Sequence, residues 1–349
     1  MASDAVPPAR TRLALRVAWN GISQNLIFPV LLALVLFFGL LYPDAFFTGF
    51  NIRSVLIIAA VTSFIAMGET YVIIGGGIDL SVGSVLVFSG VAAAEVLKAM
   101  GGTQSLEDLA AGKAPPELPL YQVISVGLGV AVLAGAAWGL VNGVLTVKGR
   151  IPDLIVTLGT LGAAYGLAQV ITGGVDINTP LNLTNEVGNG NAFLGVPWLV
   201  VIAFAVAIVM QVVLSATRFG RYTFAVGSIR EAGRRVGIDV DRHRVKLYVV
   251  SGVLAGFGGF FSLALYTTTT IGAHSTDNLV AIAAVIIGGT SLYGGTGTIF
   301  GTIAGVLVPV VLQNGFVIMG VEPFWQPVAI GVVLVLAVYV DGLRRGKFG

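Results

Sequence analysis

The chain contains no cysteine, which excludes disulfides, thiolate metal sites and a cysteine nucleophile. Two histidines in 349 residues leave little for histidine-based metal chemistry. Charge is scarce as well: 10% of residues are Asp, Glu, Lys or Arg, whereas soluble domains carry about 25%. No G-x-x-x-x-G-K-[ST] sequence occurs, so no phosphate-cradling loop of that type is present. No convergent set of His, Cys or paired carboxylates suggests an enzyme, and the expectation is that the chain is not one.

Apolar residues take the place of what is missing. They make up 56% of the chain, and the mean hydropathy is +0.94. Uncharged stretches of roughly 20 residues recur, each long enough to cross a hydrocarbon core of about 30 Å. The reading is an all-α polytopic membrane protein of about ten transmembrane helices with broken or re-entrant segments. Candidate helices cover 26–45, 52–74, 82–100, 121–147, 151–172, 195–215, 245–270, 278–292, 297–319 and 324–341. The N-terminal arginines precede an apolar run that ends in YPDAFF; without a small-x-small cleavage site it reads as a retained first span. Residues 1–25 form an N-terminal cytoplasmic segment, 26–342 the transmembrane domain and 343–349 a cytoplasmic tail.

The placement of positive charge supports that count. With the N-terminus cytoplasmic, 16 of the 19 Lys and Arg fall on cytoplasmic segments, eight of them between Arg218 and Lys246. Only Arg53, Lys98 and Lys113 fall elsewhere. Cytoplasmic loops carry such an excess, so both termini are expected inside. The loops near 101–120 and 173–197 are then the longest outer ones. Glycine is abundant at 48 residues; in membranes small residues let helices approach closely.

The stretch GGGIDLSVGS (75–84) breaks a span with three glycines, an aspartate and two serines. Asp79 or Ser81 can accept hydrogen bonds from the free amides at the head of the next helix. Alternatively the broken backbone lines a solute pathway, since irregular backbone is tolerated where it faces protein or water. The two roles are compatible. A second break, GGTSLYGGTG (288–297), is also preceded by VIIGG, a match that reflects either internal duplication or chance. Glu69 lies inside the second span, where a carboxylate costs about 2.5–3.5 kcal/mol on insertion scales. It should face the bundle interior, protonated or bonded to Thr70, Asn142 or another polar group, as structural glue or as pathway lining. Asn142, Gln169, Gln313 and Asn314 are milder polar residues within spans.

Within the long basic segment, REAGRRVGI (230–238) reads as a short amphipathic helix with Glu231 early and Gly237 as its stop. A helix along the membrane surface between two spans suits docking into a groove on a soluble partner.

Several long motifs in order carry a family resemblance over about 52–342: GGIDLSVGS (76–84), GLVNGVLTVKGRIPDLIVTLGT (139–160), EAGRRVGI (231–238), AIAAVIIGGTSLYGGTGTIFGT (281–302) and QNGFVIMGV (313–321). The chain resembles the permease subunits of ABC importers for ribose and related monosaccharides. That resemblance implies a permease dimer, with a homodimer expected, on two ATP-binding cassette ATPases, with an extracytoplasmic binding protein delivering the sugar. ATP and Mg²⁺ would belong to the ATPase, with no cofactor or metal in this chain and no nucleic acid as partner. The location implied is the bacterial inner membrane. The segment 228–242 would couple to the ATPase through Glu231, Ala232, Gly233, Arg234, Arg235, Gly237 and Ile238; Gly233 stands where alanine is usual. Asp79, Ser81 and Asn142 match family positions and, with Glu69 and Asn314, are candidates for pathway or gate. Asn278, Leu279 and Val280 stand where Glu-Leu-Asp is frequent, and Asp153 where an apolar or aromatic residue is usual. The rival reading is an ATP-independent facilitator or ion-coupled symporter, with Glu69 as proton carrier.

Overall fold

The computed structural model describes residues 27–102, 118–274 and 276–344. Residues 1–26, most of the 101–120 loop and the last five residues lie outside the described residues, and with them nearly all of the expected terminal segments. Thirteen α-helices are present among the described residues: α1 Ile27–Leu41, α2 Pro43–Phe46, α3 Gly49–Ile74, α4 Val82–Ala99, α5 Leu120–Val147, α6 Asp153–Thr172, α7 Trp198–Ala216, α8 Arg218–Ser228, α9 Arg230–Arg235, α10 Val240–Tyr266, α11 Asp277–Ile287, α12 Ile299–Ile318 and α13 Trp325–Arg344. No strand is formed among them, only isolated bridges such as Asn178 with Thr268.

Eight of these helices are long and apolar enough to cross a membrane, and α1 and α11 are shorter apolar helices. The ten expected spans therefore have counterparts, but not equal ones. Helix α11 has 11 residues, about 16 Å at 1.5 Å per residue, roughly half a hydrocarbon core. It is separated from the end of α10 by the turns at 267–274.

Helix starts follow the local chemistry. Thr48, Thr217, Asp239 and Thr298 each accept a backbone N–H three residues on, heading α3, α8, α10 and α12. These side chains satisfy amides that a helix start leaves free. Pro119, Pro152 and Pro197 immediately precede α5, α6 and α7.

Helix α3 is the axis of the bundle: every residue from 59 to 75 is buried. Around it pack α7, α10, α11 and α12, while α6, α13 and the far side of α7 turn apolar side chains such as Leu158, Leu336 and Val209 outward. Those outward faces are apolar because hydrocarbon, not water, surrounds them. The most extensive helix pair is α5 with α10. A Cβ on Gly135 would overlap the Gly252 carbonyl oxygen, and one on Gly252 would overlap that of Gly135. The backbones touch, as small residues allow in membranes.

The two glycine-rich breaks begin with the same geometry. Gly76 N–H donates to Ile73 O and Gly77 N–H to Val72 O; Gly289 N–H donates to Ile286 O and Thr290 N–H to Val285 O. Gly76 and Gly289 have φ of 75° and 88°. The repeated VIIGG thus ends α3 and α11 in one conformation.

Replacing Gly252 by Val should force α5 and α10 apart at about 1–3 kcal/mol or more, the range for overpacking. The check is thermal unfolding in detergent, with Gly129→Val, whose Cβ position is open, unfolding as wild type does.

Candidate functional site

Two polar regions stand at opposite ends of the bundle. The first is built on the break at 75–81. Asp79 is its hub and is buried. Its Oδ1 accepts from Ser81 N–H at 3.0 Å, from Ser81 Oγ at 2.6 Å and from Asn142 Nδ2 at 3.4 Å. Its Oδ2 accepts from Ser251 Oγ at 3.1 Å, and its own N–H donates to Glu69 Oε1 at 3.1 Å. Asn142 also donates to Ser81 Oγ at 2.7 Å and accepts from Thr160 Oγ1 at 2.7 Å. Asp153 Oδ2 accepts from Ile78 N–H at 3.0 Å. Side chains from α3, α5, α6 and α10 thus hold non-helical backbone inside the protein. Buried polar groups need such partners, because each unmet one costs about 1–3 kcal/mol.

Four of the residues singled out in the sequence, Glu69, Asp79, Ser81 and Asn142, therefore meet in one place. Asp79 and Glu69 each take one of the alternatives left open: of Asp79 and Ser81, Asp79 accepts the backbone amide at this turn, and Glu69 bonds another polar group, the Asp79 amide. Ser81 does not cap α4: its side chain makes no capping bond and instead donates to Asp79. The hydroxyl hydrogen goes to Asp79, and the oxygen accepts from Asn142 Nδ2 instead of from a helix amide. Glu69 bonds neither Thr70 nor Asn142. Thr70 Oγ1 is taken by Ala66 O and by Thr302 Oγ1, each at 2.7 Å. Glu69 Oε2 has no hydrogen-bond partner among the described residues, and no part of Glu69 faces a cavity found in the structure.

Beside this knot lies the basic segment. Gly227, near the end of α8, is wedged between both breaks: a Cβ there would overlap the Ile74 carbonyl oxygen and lie 2.9 Å from Gly295 N. Gly295 N–H in turn donates to Ile74 O at 2.8 Å, and Arg230 Nη2 donates to Gly76 O at 2.5 Å. Three residues further on, α9 stands out from the bundle. Glu231, Ala232, Arg234, Arg235 and Gly237 are exposed, Ile238 is half-buried and Gly233 is buried. Ile229 and Val236 are 63% and 76% exposed, so the projecting turn is apolar as well as basic. Gly237, at φ 84°, ends it, and Ile238 N–H closes back on Gly233 O at 3.1 Å.

The second region is a cavity of about 640 Å³ among α3, α10, α11, α12 and α13, at the end away from α9. Pockets for small molecules run about 300–1,000 Å³. Its wall is mixed: Tyr266, Thr62, Gln313, Asn314, His274 and Asp277 lie among Val and Pro side chains. Asn314 is the one sequence-singled candidate found here. It exchanges two hydrogen bonds with Asn51, at 2.7 and 3.1 Å, joining the end of α12 to the start of α3. Between the cavity and α9 the helices close. The Thr70–Thr302 bond crosses that stretch, and a Cβ on Gly305 would overlap the Ala284 carbonyl.

Asn51, His274, Asp277 and Gly227 were not singled out in the sequence. His274 and Asp277 carried a signal, an i,i+3 pair at a helix start. Gly227 carried none, being one glycine among 48.

Residues 51–338 match the family model described as branched-chain amino acid transport system / permease component. The ribose import permease protein of Escherichia coli (strain K12) is 36% identical over 335 residues, covering 94% of this chain and 96% of its own length. The D-allose transport system permease protein of the same strain is 32% identical over 318 residues, 90% of each chain. The L-arabinose ABC transporter permease protein of Azospirillum brasilense is 33% identical over 349 residues, 98% of this chain and 94% of its own.

Glu69→Gln keeps an acceptor for the Asp79 amide and should unfold within about 1 kcal/mol of wild type, whereas Glu69→Leu orphans that amide and should cost about 1–3 kcal/mol. Scanning fluorimetry in detergent distinguishes the two.

Proposed function

The chain belongs to the permease-component family matched by residues 51–338, and on that premise we propose that it carries a monosaccharide delivered by an extracytoplasmic binding protein, driven by a separate ATPase. It is a multi-pass inner-membrane permease of the sugar ABC importer type. In this reading two copies stand on two ATP-binding cassettes, ATP and Mg²⁺ are held by the ATPases, and α9 is the docking element. The end bearing 217–246 then faces the cytoplasm and the cavity faces the binding protein.

One observation carries the reading: the segment 227–230 touches both backbone breaks, while α9, which continues directly from it, projects exposed apolar and basic side chains from the bundle. Motion imposed on α9 reaches the end of α3 through Ile74 and Gly76, and the start of α12 through Gly294 and Gly295. Tilting those helices would part Thr70 from Thr302 and open the cavity toward the other side. Neither state can be favoured by many kcal/mol, because a nucleotide cycle must switch between them: moving from 1:99 to 99:1 already takes about 5.5 kcal/mol. A proton relay is not supported, since Glu69 is enclosed away from the cavity.

The test is uptake of labelled sugar into proteoliposomes holding this chain, its ATPase and a sugar-loaded binding protein. Import should require ATP, and Gly237→Val, strained at φ 84°, should abolish it while Gly233→Ala does not. A Cβ on Gly233 meets its neighbours at 3.7–3.9 Å, an ordinary contact, and alanine should stabilise the helix by up to about 1 kcal/mol. Uptake by this chain alone, without ATPase, would overturn the reading.

A further inference from the structure

Of the polar side chains on the cavity wall, Asp277 is the one carboxylate among the described residues, and no Lys or Arg accompanies it. It is the first residue of α11, where a negative charge is favoured by the helix dipole. His274 Nδ1 lies 2.7 Å from its Oδ2. A carboxylate only accepts, so Nδ1 carries the hydrogen, and Nε2 accepts from Ser262 Oγ at 2.7 Å. The Thr270 hydroxyl is 3.3 Å from the same nitrogen. The imidazole is 6% exposed and the aspartate side chain 21%. One partner is thus buried support, and the other is turned partly into the cavity. No described residue bonds Asp277 Oδ1. A pair serving only to lock α11 onto α10 would need neither a cavity nor a spare oxygen.

We propose that Asp277, oriented by His274, is the group on this wall that accepts hydrogen bonds from the hydroxyls of an uncharged polyol during its passage. The proposal rests on the transport reading above and adds a named residue to it. A fixed carboxylate loses no rotamer freedom on engaging the solute, which favours contact at low ordering cost. Its neighbours Tyr266, Gln313 and Thr62 are neutral at pH 7 and can donate or accept. A carboxylate with no Lys or Arg beside it on the wall also disfavours anions, so sugar phosphates and sugar acids are poor solutes for this cavity. His274 acts through Asp277 and is a positioning residue.

The experiment uses the assembled importer in proteoliposomes, with radiolabelled D-ribose, D-allose or L-arabinose presented on binding protein and ATP hydrolysis measured alongside. Asp277→Ala should lower the sugar carried per ATP hydrolysed by about tenfold or more, the loss expected for a hydrogen bond to a charged group. The concentration of loaded binding protein giving half-maximal uptake should not move, since docking is elsewhere. Asp277→Asn keeps the shape and one acceptor oxygen and should lose less. His274→Ala should follow Asp277→Ala, and His274→Gln, which can still donate to the carboxylate, should recover part of the loss. Unchanged sugar per ATP in Asp277→Ala, or an effect confined to the half-maximal concentration, would overturn the proposal with the transport reading intact. Failure of the wild type to import any of the three sugars would overturn both.

Discussion

Backbone that leaves a helix inside an apolar bundle has no water to turn to, so each freed amide and carbonyl must be met by protein. Between Ile74 and Val82 that demand falls on a handful of side chains, with Asp79 at their centre. The aspartate draws Ser81, Asn142 and Ser251 to itself, and the amides of Asp79 and Ile78 are met by Glu69 and Asp153. A regular helix would have needed none of these. Their presence is the cost of a break, and the break is where the segment 227–230 can lie against main chain rather than against side chains.

The two ends of the bundle are held by different means. At the α9 end, backbone packs on backbone, and Thr70 with Thr302 closes the passage between α3 and α12. At the opposite end the loop over 267–276 is stitched to the 173–197 segment: Asp176 accepts from Thr269 Oγ1 and from Ile271 N–H, and Arg53 reaches Asn189 O at 2.6 Å. The cavity sits just inside that stitched rim, bounded by side chains that can hydrogen-bond. Dense at one end and polar and hollow at the other, the bundle is asymmetric along its length.

Much of this was visible in the residues. Apolar runs and charge placement located the long helices, because burial in hydrocarbon leaves a composition signal that needs no tertiary information. The short α11 was overestimated at its end, since residues 288–292 belong to the glycine-rich break and not to the helix. Glu69, Asp79, Ser81 and Asn142 drew notice as polar residues in apolar company. Their bonding pattern did not follow, because which acceptor wins depends on distances set by α5, α6 and α10. Asp153, noted only as an unusual residue for its position, proves to hold Ile78. The Asn51–Asn314 pair joins residues 263 apart in sequence, a proximity no local pattern encodes. Glycine abundance suggested close packing without saying where; Gly227 needed the fold.

The junction at Gly227 is made of main-chain atoms and one guanidinium on a carbonyl. The ion pairs on the projecting turn, Arg234 with Asp241 and Arg235 with Glu231, are more than half exposed and are screened over a Debye length of about 8 Å at physiological salt. Peptide groups carry no titratable proton and no net charge to screen. The peptide-to-peptide seat of Gly227 is therefore nearly indifferent to the salinity and acidity of the surrounding fluid, and osmotic or metabolic swings fall instead on the surface pairs and on the Arg230 guanidinium.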